Sequence, residues 1–150
     1  MDRRAFGFGL AASVGLAALG AAPLALASER RIIEALAGAL FPPAPGMPSA
    51  AEVDVVSAVG RYLAHAPAAA RWQARGLLRF VDAATLPTHA ARFHTLDLAA
   101  RDAVISGWGA SDLVAQRLIV HALRQMLAMG YYQHDATWAH LGYDGPLVGR

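Results

Sequence analysis

Between Ser111 and Gly130 the chain runs from Asp112 to Met129 without a proline or a glycine. Within that run Arg117, His121 and Arg124 fall on one narrow stripe at helical spacing, and the apolar arc left over is wide. A strand cannot use this pattern, because its side chains change face at every residue. The segment is therefore expected as a helix that is central in the core, or that faces both its own core and a partner. Nothing elsewhere alternates for long, and Ala, Leu and Arg dominate. The predicted class is all-α: a small bundle of about five helices with an irregular, aromatic and glycine-rich C-terminal tail.

The remaining elements follow from caps and breakers. Glu29 to Leu40 reads as a first helix, stopped by Phe41-Pro42-Pro43 and followed by a proline-rich loop to Pro48. Ser49-Ala50-Ala51-Glu52 is a capping box, whose serine and glutamate satisfy each other's exposed amides at a helix start. The helix it opens carries Asp54, Ser57, Arg61 and His65 on one stripe. Pro67 starts a third helix to about Ala84, with Arg71, Arg75, Arg79 and Asp82 on a polar stripe and Trp72, Gly76, Phe80 and Ala83 on another face. Trp72 and Trp108 are expected in the core. Thr85 to Leu96 reads as a linker around Pro87, Asp97 caps a short helix through Trp108 that Gly107 and Gly109 break, and Ser111 caps the long segment. There is no internal repeat and no domain boundary after residue 28.

Ahead of these elements stands an unusual leader. Arg3, Arg4 and Phe6 match the core of a twin-arginine export signal, and from Ala5 to Ala27 no residue carries a charge. Ala25-x-Ala27 is the small-residue pair a signal peptidase accepts, so residues 1–27 are expected as a signal and 28–150 as the helical domain. The alternative is a retained anchor, since the run is about long enough to span a bilayer. That export route mainly carries proteins already folded, often around a cofactor. The expected location is the periplasm, associated with the inner membrane through a complex.

The domain itself offers little chemistry. Its 11 basic residues are all arginine and face 10 acidic ones, so no basic patch points to nucleic acid. Without cysteine it can hold no thiolate zinc, iron–sulfur cluster or covalently attached haem. His65, His89, His94, His121, His134 and His140 form no H-x-x-x-H or E-x-x-H pair, and no nucleophile–base motif stands out. No catalytic residue, metal ligand or cofactor is therefore expected in this chain. With 56% hydrophobic and 16% charged residues, it is apolar enough to suggest a surface meant to be covered.

The last stretch carries a resemblance. Leu127-Ala128-Met129-Gly130-Tyr131-Tyr132-Gln133-His134-Asp135, then Trp138, then Leu141-Gly142-Tyr143-Asp144-Gly145-Pro146 resembles the "GYY", tryptophan and "GY-x-GP" elements of the gluconate 2-dehydrogenase subunit 3 family. Ala35 to Ala51 is similar to that family's "LIP" turn, and Phe93 to Val104 to its "F-x-x-L-x-x-x-x-R" stretch. The resemblance implies a non-catalytic small subunit of a periplasmic dehydrogenase of the glucose–methanol–choline type. FAD would sit in the large subunit, and a multihaem cytochrome c subunit would often take the electrons. The small subunit would escort its signal-less partner through the twin-arginine translocase and stabilise it. The chain is compact between the tyrosine pair and the "GP" element, where some members carry an insertion, which puts gluconate itself in question as substrate. Tyr131, Tyr132, Trp138, Gly142, Tyr143, Gly145 and Pro146 are the expected partner-binding residues, the aromatics as anchors and the others as the turn that presents them. Two other readings stay open: a free periplasmic helical domain binding a small apolar ligand, and an enzyme with a site around His134, Asp135 and His140.

Overall fold

The computed structural model describes residues 26–144. Arg3, Arg4, Phe6, Ala25, Gly145 and Pro146 lie outside the described residues. The described chain is all-α and contains no strand: α1 Leu26–Leu40, α2 Val55–His65, α3 Ala68–Ala84, α4 Leu86–His89, a 3-10 turn Phe93–Thr95, α5 Leu98–Gly109, α6 Val114–Tyr131 and α7 Asp135–Leu141. α1 begins ahead of the expected Glu29 and takes in Ala27.

The helix at the centre is α1, which packs against α2, α3, α5, α6 and the 3-10 turn. Its Ile32, Ile33, Ala35, Leu36, Ala37 and Ala39 are all buried. The long α6 is thus not central: Val120, Leu123, Leu127 and Tyr131 face the core, while Val114, Leu118 and Met129 face outward. At its closest approach to α2, Gly130 has no side chain to spare. A Cβ there would meet Val59 Cγ2 at 3.2 Å, Ala58 Cβ at 3.3 Å and Val55 Cγ1 at 3.4 Å.

Several local expectations are corrected by tertiary structure. The capping box forms, with the Glu52 amide donating to Ser49 Oγ and the Ser49 amide to Glu52 Oε2, but it closes a turn and opens no helix. Asp54 then enters the left-handed region (φ 43°) and caps α2 itself by accepting from the Ser57 amide. The supposed linker Thr85 to Leu96 holds α4 and the 3-10 turn, because Phe93 is fully buried and needs a backbone that delivers it. Asp97 caps α5 through the Ala100 amide as expected, and the helix passes Gly107 to end at Gly109, one residue beyond Trp108. Ser111 accepts from the Leu113 amide, so α6 starts at Val114, later than Asp112, and runs past Met129 to Tyr131. The tail is not wholly irregular, since α7 lies within it.

The largest correction concerns α3. Its core-facing side carries Leu78, Val81, Asp82 and Thr85, and the arginine stripe turns inward with them. Trp72 is 38% exposed and Phe80 56% exposed, so the aromatic face expected in the core points out. Trp108, on α5, is half-buried, with its ring centroid 6.4 Å from that of Phe80.

Candidate interaction surface

The inward turn of α3 is explained by two ionic knots. Glu29, on α1, is 1% exposed; its Oε1 accepts from Arg75 Nε and pairs with Arg79 Nη2, each at 3.1 Å. A carboxylate so buried is tolerated only with cations on it, and both come from α3. One turn further on, Asp82 accepts from the His94 amide at 3.1 Å, from His94 Nδ1 at 2.6 Å and from Arg92 Nη1 at 3.2 Å. An ionised carboxylate only accepts, so Nδ1 carries the proton. Burial pushes the Asp82 carboxyl up, but the hydrogen bonds from His94 and Arg92 outweigh it and hold the group below the usual carboxylate range. Arg101 Nη2 donates to the His94 carbonyl at 2.8 Å, which ties α5 into the same knot. The Asp–His pair has the look of a base and its orienter, but its three donations are spent on fastening the 3-10 turn to α3.

The other histidines also have local work. His65 Nδ1 lies 2.9 Å from the Arg61 carbonyl and His89 Nδ1 2.8 Å from Thr88 Oγ1. His134 caps α7, its Nδ1 accepting from the Ala136 amide at 3.3 Å. His121 is exposed on the same flank of α6 as Arg117 and Arg124. His140 abuts Gly46, whose positive φ (79°) turns the proline-rich loop; a Cβ there would meet His140 Nδ1 at 2.6 Å. Among the described residues no group of three His, Asp or Glu is gathered where a metal could bind.

The expected partner-binding aromatics divide by burial. Tyr131 is 3% exposed and is core: its ring stacks on Phe41 at 4.7 Å and its hydroxyl donates to the Pro48 carbonyl at 2.6 Å. Burial, then the neighbouring Tyr132 and Glu52, pushes its phenol above the ordinary tyrosine range. It cannot anchor a partner without leaving that seat. Tyr132 and Tyr143 are exposed and Trp138 is half-buried. These three belong together, since Trp138 Nε1 donates to the Tyr132 carbonyl at 2.7 Å and the Trp138 ring meets Tyr143 edge-on at 5.4 Å. Gly142 (φ 66°) ends α7, with its own amide on the Ala139 carbonyl and the Tyr143 amide on that of Trp138. That is a Schellman turn, and it is what brings Tyr143 back onto Trp138.

A second surface was missed in the sequence. Outward on α6, Val114, Leu118, Met129 and Tyr132 share one stripe, and outward on α3, Trp72, Gly76, Phe80 and Ala83 share another. Beside the α6 stripe, between α3 and α6 and over α2, lies an open groove of about 650 Å³ with Tyr62, Ala74, Leu77, Ala122, Met126 and Met129 in its walls; the α3 face of Trp72, Gly76, Phe80 and Ala83 does not line it. The signal was present in the equal apolarity of two faces of α3, but nothing local says which face the Arg–Asp stripe will follow.

Set against known proteins, the chain matches the family described as Gluconate 2-dehydrogenase subunit 3 over residues 27–145. No curated protein and no solved structure matches it. The match takes in every described element from α1 to α7, and the chain belongs to the gluconate 2-dehydrogenase subunit 3 family.

Proposed function

We propose that this member of a dehydrogenase subunit family is the non-catalytic small subunit of a periplasmic, FAD-dependent dehydrogenase of the glucose–methanol–choline type. It escorts a signal-less flavoprotein through twin-arginine export and stabilises it afterwards. Family membership over residues 27–145 is the observation that carries this reading, joined to the twin arginines Arg3 and Arg4 in front of it. The flavin belongs to the partner. A multihaem cytochrome c subunit is the proposed electron acceptor, and an alcohol, sugar or sugar acid the proposed substrate class of the partner. Tyr132, Trp138 and Tyr143 serve as anchors for the flavoprotein, presented by Gly142 with Gly145 and Pro146.

The test is fractionation of cells carrying Arg3→Lys together with Arg4→Lys. Both this chain and the flavoprotein are expected to stay in the cytoplasm, and dehydrogenase activity to leave the periplasm. Normal periplasmic activity in the double variant would defeat the escort role.

A further inference from the structure

We infer that the groove between α3 and α6, with the outward stripe of α6, seats an uncharged, amphipathic helix of the flavoprotein subunit. This rests on the proposed function and extends its small aromatic tail into a larger docking surface.

Charge comes first. The acidic and basic groups of the two helices lie outside the groove: Arg75, Arg79 and Asp82 are held in the ionic knots, and Arg117, His121 and Arg124 line the adjoining flank of α6. The residues lining the groove include no Asp, Glu or Arg, and His65 at its wall is bonded back to the Arg61 carbonyl; such walls do not attract an acidic peptide or a phosphate and fit an apolar occupant. The shape is the second argument. Small residues, Ala70, Ala74 and Ala122, let a backbone come close, and Met126 and Met129 are the adaptable side chains that suit an incoming apolar ridge. α3 and α6 present this combination at helical spacing on both walls, as a helix laid in a groove requires.

Size and continuity complete the case. From Val114 to Tyr132 the α6 stripe extends about 27 Å at 1.5 Å per residue, enough to lie along a partner helix of about 18 residues. The α6 stripe runs without a break into Tyr132 and through it to Trp138 and Tyr143. A lipid surface is the less suitable occupant, because the walls rise around a groove and no described helix is long and apolar enough to cross a membrane.

The experiment co-expresses the tagged full-length chain with the candidate flavoprotein and reads flavin absorbance per tagged chain after purification. Ala122→Glu puts a charge in the groove at an exposed position, and Leu118→Glu, at a residue 54% exposed, does so on the outward stripe. Each is expected to lower retained flavin at least tenfold with an unchanged far-ultraviolet circular dichroism spectrum, while Arg124→Glu on the adjoining flank leaves it as in wild type. Should Ala122→Glu fail to fold, Leu118→Glu decides. Full retention in both groove variants overturns the inference and leaves the escort role standing. So does loss of retention in Arg124→Glu alone, self-association that Ala122→Glu abolishes, or binding of the wild-type chain to phosphatidylcholine vesicles. If the wild-type chain itself retains no flavoprotein, the proposed function falls and this inference with it.

Discussion

Asp82 is the residue on which most of the packing of α3 turns. It is 3% exposed and receives His94 twice and Arg92 once. Asp82→Asn keeps the shape but removes the charge these donors face, and disrupting a buried pair of this kind costs about 3 kcal/mol. Chemical denaturation should show that loss at neutral pH. The folded carboxyl sits below its unfolded value, so its contribution is present above about pH 4 and fades as pH falls through the depressed folded value. The gap between wild type and Asp82→Asn should therefore close on acidification below about pH 4, and a constant gap would show that the charge is irrelevant. At this scale the sequence was legible only where partners are neighbours. The Asp97 cap and the Ser49–Glu52 pair lie three residues apart and were read correctly as bonds. Glu29 and Arg75 are 46 positions apart, and no local rule joins them.

Helices, by contrast, were largely legible as elements, because periodicity and caps are written within one turn. Their orientation was not. A polar stripe is ordinarily the solvated one, so α3 was expected with Trp72 and Phe80 inside; the buried Glu29 that its arginines meet, and its own Asp82 held by Arg92 and His94, reverse that rule. Paired substitutions test the reversal. Phe80→Ala, at a residue 56% exposed and in contact with Trp108, should cost no more than about 1 kcal/mol. Phe93→Ala, at a fully buried ring in what reads as a linker, should cost about 3–5 kcal/mol. Equal costs by thermal melting would mean that α3 packs the other way. The α2–α6 crossing gives a further measurement at the same scale. Gly130→Val would drive two methyls into Val55, Ala58 and Val59, and this overpacking should cost about 1–3 kcal/mol. The family's "GYY" glycine is thus explained by helix contact alone.

For the molecule as a whole, the question is whether the tail belongs to the fold or to the complex. Among the described residues the buried apolar cluster runs from Ile32 to Tyr131 and takes in none beyond it. The C-terminal side of that boundary holds Thr137, which is buried, a single helix of 7 residues, and the contact of His140 with Gly46 in the proline-rich loop. Tyr131 keeps its place by stacking on Phe41 and bonding to Pro48, neither of which lies in the tail. Deleting residues 133–150 therefore removes Trp138 and Tyr143 while leaving the core cluster complete. The truncated chain should stay helical by circular dichroism, with a melting temperature lowered by a few degrees, about what the loss of 1 kcal/mol does to a domain of this size. Its retention of the flavoprotein should fall, but less than in Ala122→Glu, because the groove and the α6 stripe with Tyr132 remain. A truncated chain that unfolds would make the tail part of the core. One that holds its partner as firmly as the full chain would remove Trp138 and Tyr143 from the interface and leave the groove alone to account for it.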